Sequence, residues 1–339
     1  MPRSSPLRAV IDRATPDDLT SLVTDVGPAP MQIGAVLLLD IRDGFDPAEA
    51  RDALAQRVRS IPRLRQRLEP TPFGCGRPIW VDHAGFDIDQ HVSITGFAGD
   101  RDLNAVLRLA ADLVATRLPR ERPLWAAKLV PIDDRSAALV VVFHHVLADG
   151  IGGLAVLAGL VDGAPEAPNP DCPTPAFPSP APTTAQLGAD ALRDRLRGLT
   201  RVRLLPGRLR AAVGELGATG RTHASRSSLN RPTGPGRRLA VARCELAAVR
   251  DVAHACGGSV NDVVLSAVAG ALGTLVESRG ERVESFVVSV PVSRRSTTTS
   301  AALGNQVGVA PIELPNLRDR RERLRVIVTQ PHQTELDFQ

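Results

Sequence analysis

The stretch His144-His145-Val146-Leu147-Ala148-Asp149-Gly150 holds the residues of this chain whose types and spacing most directly suggest chemistry. Two adjacent histidines follow the apolar run Ala137–Phe143 (AALVVVF), and an Asp-Gly pair opens Ile151–Leu160, which reads as helix. A neutral imidazole, with an ordinary pKa of about 6.5, is the natural general base near neutrality. Successive side chains of a strand point to opposite faces, so one of the two histidines faces a given cleft. Asp149 either orients that imidazole or locks the loop by pairing with an arginine. A metal site needs three or more convergent ligands, whereas adjacent strand histidines splay apart. His83, His91, His223, His254 and His332 show no ligand spacing, so no metal is expected. The chain has no GxSxG elbow, P-loop or GxGxxG, which sets aside the common hydrolase, NTPase and dinucleotide-binding readings.

The elements around this motif alternate. Ile33–Leu39 (IGAVLLL) reads as a buried strand, and Asp46-Pro47 caps and opens a helix over Asp46–Ser60. Leu103–Leu118 has the spacing of an amphipathic helix, and Ala137–Phe143 that of a strand buried on both faces. Eight prolines between Pro165 and Pro182 mark an extended linker. Asp190–Leu216 reads as a pair of basic amphipathic helices broken at Pro206. A second α/β block follows. Strands are expected at Arg238–Leu246, Val283–Val292 and Gln306–Leu314, and helices at Ala247–Cys256, Asn261–Ser278 and Leu317–Thr329. The last nine residues neither continue that helix nor begin a strand. The fold class is therefore α/β, a sandwich with its site on a loop at a strand end. The expected domains are a lobe at 1–161 carrying the histidine motif, a linker with basic helices at 162–235, and a second lobe at 236–339.

Composition narrows the partners. Hydrophobic residues are 43% of the 339 and charged residues 23%, enough for one or two cores and too balanced for a disordered chain or coiled coil. Aromatics are 3%, with no tyrosine, which argues against stacking platforms for single-stranded nucleic acid. A formal charge of +4 permits anionic membrane surfaces or phosphate ligands without demanding them. Lys128 is the one lysine; the other basic residues are arginines, a pattern of GC-rich coding. Cys75, Cys172, Cys244 and Cys256 lie far apart, which fits neither a zinc site nor a disulfide framework and favours a reducing compartment. No signal-peptide core is apparent at the N-terminus, and no apolar run approaches the ~18 residues of a spanning helix. A cytoplasmic location is expected, with peripheral attachment to membranes or lipid droplets through the basic helices.

His144-His145-Val-Leu-Ala-Asp149-Gly150 also matches the HHxxxDG motif of CoA-dependent acyltransferases and condensation domains. Pro123-Leu124-Trp125 precedes it as in bacterial wax ester synthase/diacylglycerol acyltransferases. Ser259-Val260-Asn261-Asp262-Val263-Val264-Leu265 resembles that family's Asn-Asp helix start. Val290-Pro291-Val292-Ser293-Arg294-Arg295 and Leu303-Gly304-Asn305-Gln306 resemble its later motifs. Ser5-Pro6-Leu7, Met31-Gln32-Ile33-Gly34-Ala35 and Gly76-Arg77-Pro78-Ile79-Trp80-Val81 are similar too, so the resemblance runs from about Ser5 to Arg325.

The resemblance implies a two-lobed, chloramphenicol-acetyltransferase-like fold. It also implies transfer of a long-chain acyl group from acyl-CoA to diacylglycerol or a fatty alcohol, with acyl-CoA as co-substrate and no cofactor. His145 would be the general base, His144 its support, and Gly150 part of the motif turn. Asp149 would pair with Arg295. The helix start at Asn261 and Asp262 would supply or position oxyanion donors, Asp262 also reading as an ordinary first-turn acid. Trp80 and Trp125 read as core packing. Family members run further past Arg325, so the second lobe is expected to be incomplete, with an exposed sheet edge, poor solubility and weak activity. The competing readings are a condensation-like enzyme acting on carrier-bound groups and a catalytically silent remnant that binds lipid or protein. The Pro-Leu-Trp and Asn-Asp matches count against the first.

Overall fold

The computed structural model describes residues 11–42, 44–96, 101–147, 150–161, 177–201, 225–293 and 307–330. They fall into two compact units, one holding the described residues to Thr200 with 234–240, the other 201, 225–233, 241–293 and 307–330.

The first unit runs β1 (Asp12–Arg13), α1 (Pro16–Thr24), β2 (Gln32–Asp40), α2 (Pro47–Ser60), β3 (Gln66–Glu69), β4 (Ile79–Asp82), β5 (Val92–Ile94), α3 (Leu103–Ala115), β6 (Trp125–Pro131), β7 (Ser136–His144), α4 (Gly150–Leu160) and α5 (Thr184–Arg201). Its main sheet has the order β2-β7-β6-β5, antiparallel except for the parallel pair β5-β6. β7 lies inside this sheet with both faces covered. Ala138 and Val140 pack on Val106 and Ala110 of α3, while Leu139, Val141 and Phe143 pack with Leu54 and Val58 of α2 and Val156 and Leu160 of α4. A strand covered on both sides must be apolar throughout, which is why AALVVVF shows no alternation. Phe143 fixes how closely α4 approaches: a Cβ on Gly153 would stand 2.7 Å from its ring.

Side-chain oxygens start the helices. Thr15 and Asp18 close a capping box on α1, with Pro16 fixing its first turn, and Asp46 accepts the Ala48 amide of α2 at 2.7 Å. Gln32 does the reverse job at a helix end. Its Nε2 donates to the carbonyls of Val114 and Thr116, and its Oε1 accepts the Leu118 amide, so the first residue of β2 closes the C-terminus of α3. The smaller sheet, β1-β4-β3, receives α5: Leu187 packs with Cys75, Ile79 and Val81, and Arg13 reaches Asp190 at 2.8 Å.

The second unit contains α6 (Leu246–Ala255), α7 (Val260–Ser278), the antiparallel pair β8 (Ser285–Ser293) and β9 (Val307–Pro315), and α8 (Arg320–Thr329). Leu265 and Ala269 of α7, Leu314 of β9 and Ile327 of α8 form its core.

Several expectations are corrected. Arg238–Leu246 forms no strand; Leu239 and Val241 are exposed, no strand among the described residues pairs with them, and α6 begins at Leu246. An apolar stretch without a ladder partner has no hydrogen bonds to hold it extended. α5 begins at Thr184 rather than Asp190, because Thr183 and Gln186 exchange hydrogen bonds as a capping pair. The last helix begins at Arg320, where Asp319 accepts the Glu322 amide. Val260–Ser278 is long and apolar enough by length and composition to span a membrane, contrary to the sequence reading, yet it packs here as a core helix. The break at Pro206 and the last nine residues lie outside the described residues.

Candidate active site

β7 carries the motif to the sheet's end. His144 is its last residue and 3% exposed; it shares the α3-facing side with Ala138, Val140 and Val142. Its amide donates to the Leu124 carbonyl of the Pro-Leu-Trp segment at 2.9 Å, and Trp125 stands opposite Phe143 in the ladder. That segment thus acts by placing β6 against the motif strand, and Pro123, Leu124 and Trp125 are all buried. Trp80 is buried as well, as expected of core packing.

The tautomer of His144 follows from its neighbours. The Val146 amide donates to Nδ1 at 3.0 Å, which leaves the proton of a neutral ring on Nε2. Nε2 stands 3.4 Å from Oδ2 of Asp25, an electrostatic contact longer than an ordinary hydrogen bond. Burial pushes the His144 pKa below the usual histidine value, against the opposing pull of Asp25.

Asp25, the C-cap of α1, is the functional neighbour that sequence reasoning missed. Its carboxylate is 1% exposed and meets Arg117 at 2.5 Å and Arg120 at 2.9 Å, both on the segment after α3. Burial alone would raise its pKa; the Met31 amide, the two guanidinium groups and His144 reverse this and hold it far below the carboxylate range. Nothing in the spacing of residues 25, 117, 120 and 144 announces the cluster. The one sequence signal nearby was the Thr15–Asp18 capping box, which places α1 and hence its C-cap.

His145 is the first residue past the strand. It is half-buried, and its amide donates to the Met31 carbonyl at 2.8 Å. Gly150 begins α4. Asp149 and Arg295 lie outside the described residues, as do Leu303–Gln306 and Ser5–Leu7. In the second unit Asn261 is exposed on the first turn of α7. Asp262 is buried and closes the capping box with Ser259, the structural role open to a first-turn acid. Among the described residues no three His, Cys, Asp or Glu side chains converge as metal ligands.

Another histidine is fixed nearby. His91, given no role by sequence reasoning, is sandwiched between Phe86 and Trp125, with ring centroids 5.2 and 4.7 Å away, and its Nδ1 donates to the Trp125 carbonyl at 2.8 Å.

The fold is shared with solved structures. The wax ester synthase/diacylglycerol acyltransferase from Marinobacter aquaeolei VT8 aligns over 93% of this chain and 70% of its own, with a TM-score of 0.63 and 23% identity. The first condensation domain of the calcium-dependent antibiotic synthetase aligns over 94% of this chain and 73% of its own, with a TM-score of 0.58 and 20% identity. These likenesses define the fold class: a chloramphenicol-acetyltransferase-like α/β fold. A family model described as the wax ester synthase/diacylglycerol acyltransferase catalytic domain matches residues 15–264. A probable diacylglycerol O-acyltransferase of Mycobacterium tuberculosis is 33% identical over 320 residues, covering 88% of this chain and 65% of its own length. A putative diacylglycerol O-acyltransferase of Mycobacterium bovis matches to the same extent. The chain belongs to the wax ester synthase/diacylglycerol acyltransferase family, and it spans about 65% of the length of these curated relatives.

Proposed function

We propose that the chain carries the acyl-transfer chemistry of its family, moving a long-chain acyl group from acyl-CoA to diacylglycerol or a fatty alcohol with His145 as general base. The observation that carries this reading is the division of labour between the paired histidines. His144 is buried, with Nδ1 engaged by the Val146 amide and Nε2 turned to Asp25, which leaves the base role to His145.

An alcohol, with a pKa far above 7, attacks a thioester poorly unless its proton is removed as it attacks. An imidazole nitrogen of His145 takes the hydroxyl proton while the alcohol oxygen bonds to the thioester carbon and the carbonyl becomes an oxyanion. Collapse of that intermediate breaks the carbon–sulfur bond. Coenzyme A leaves as the thiol, taking the proton from the imidazolium, and the ester is released. No covalent enzyme intermediate is needed.

The test is purified protein with radiolabelled palmitoyl-CoA and either diolein or hexadecanol, followed by lipid separation. Labelled triacylglycerol or wax ester is expected. His145→Ala should lower turnover by about 10²–10⁴-fold while leaving the melting curve intact. Near wild-type turnover in that variant would exclude His145 as the base, and no ester from either acceptor would exclude the reaction.

A further inference from the structure

Asp25 touches the motif twice. Its Oδ2 faces Nε2 of His144 at 3.4 Å. Its Oδ1 accepts the Met31 amide at 2.9 Å, and the carbonyl of that same residue accepts the His145 amide at 2.8 Å. One buried carboxylate therefore faces the ring of the first histidine and reaches the backbone of the second through Met31. We propose that Asp25 is a positioning residue for His145, locking where the backbone of the base leaves the strand and which nitrogen of His144 carries the proton.

The charge matters, and not only the shape. Arg117 and Arg120 both donate to Oδ2, and Arg117 also donates to the Gly27 carbonyl, so the carboxylate is pinned to the chain turn that delivers Met31. Around Asp25, Met31, His144, Arg117 and Arg120 all present N–H donors, and only a group that accepts on both oxygens satisfies them. An asparagine cannot do so. With its oxygen toward Met31, its NH₂ opposes the arginines and the His144 Nε2–H; turned round, the NH₂ opposes the Met31 amide. Either orientation leaves two donors facing each other in a buried place. Asp25→Asn should thus release the Met31 strap, or drive the His144 proton to Nδ1 at the expense of the Val146 bond.

The experiment has two arms. The activity arm rests on the acyl-transfer reading; the spectroscopic arm does not. In ¹⁵N-histidine-labelled wild-type protein at pH 8, with His144 assigned by comparison with His144→Gln, ring-nitrogen shifts should show a protonated Nε2 and an unprotonated Nδ1. A protonated Nδ1 would overturn the proposal, and this measurement needs no folded variant at Asp25. In Asp25→Asn the His145 amide should exchange with solvent at least about tenfold faster, since the strap that protects it is loosened. If the wild type turns over, the variant's kcat should fall by about a hundredfold, the effect expected of a displaced catalytic group, with KM for acyl-CoA within about twofold. An Asp25→Asn protein with wild-type amide exchange and kcat would also overturn the assignment. A wild type that makes no ester, yet shows the expected His144 tautomer, would sink the reaction and leave the positioning role standing.

Discussion

His144 and His91 are both buried beside the motif strand, and burial is the largest influence lowering the pKa of each. Opposing contributions come from Asp25 for the one and the Trp125 carbonyl for the other. The sign of the consequence is fixed. A histidine whose folded pKa is depressed is matched by an unfolded histidine that binds a proton near pH 6.5, so its contribution to stability is complete above that value and drains away below it. Unfolding free energy should be flat above about pH 7 and fall below about pH 6.5, by up to about 1.4 kcal/mol per pH unit for each histidine. Asp25 acts in the same direction at much lower pH, since its contribution is present above the carboxylate range. Denaturant titrations between pH 5 and 8 test this. His91→Phe keeps the aromatic stack and should lose about one proton's worth of slope; an unchanged slope in that variant would contradict the account. At this scale the paired histidines were legible, because two imidazoles after an apolar run are unusual by type alone. Their partners were not. His91 has its role through Phe86 and Trp125, and Asp25 through residues some 90 positions away, contacts that only the folded chain creates.

The elements were legible where one local cause decides them. α2 has its Asp46-Pro47 start, and β7 its unbroken apolar run and double cover. Those that depend on distant pairing were missed or misplaced. β3 (QRLE) and β5 (VSI) carry little strand pattern and exist through β4 and β6, whereas Arg238–Leu246 has the pattern and finds no partner. The junction of β7 with α4 matters most for the chemistry. Phe143, two residues before His145, meets Gly153 so closely that a methyl group there would lie 2.7 Å from the ring. The ring is fully buried between sheet and helix, so α4 must yield rather than Phe143. Gly153→Ala should cost about 1–3 kcal/mol, the range for overpacking, and lower turnover by shifting the turn that carries His145. Thermal unfolding and the acyl-transfer assay together check this. A variant with wild-type melting temperature and turnover would show that the contact relaxes freely.

Family membership and fold class were legible because several short motifs occur in one order from about Ser5 to Arg325, and the family model matches residues 15–264. What that order does not reveal is how a chain acting on the proposed long-chain acyl substrates would meet them in lipid. A surface of the first unit is expected to serve this. α5 buries Leu187 and Ala191 and leaves Leu192 and Leu196, one helical turn apart, more than half exposed beside Arg193 and Arg197. Arg195 donates to the Gly74 carbonyl at 3.0 Å, which brings the fully exposed Phe73 to the same helix. Aromatic and leucine side chains interleaved with arginines are the composition of an interfacial helix, whose apolar groups enter the acyl boundary while its cations meet anionic headgroups. Arg13–Asp190 and the Leu187 contacts keep that helix on the folded unit, so the expected attachment would need no unfolding. In flotation assays the protein should bind vesicles containing anionic lipid, and bind them less as salt rises. Arg193→Glu with Arg197→Glu should weaken binding by roughly tenfold or more, at about 1 kcal/mol for each lost cation near the surface. Phe73→Ser should weaken binding to neutral and anionic vesicles alike. Equal flotation with both vesicle types, or with neither, would count against this surface.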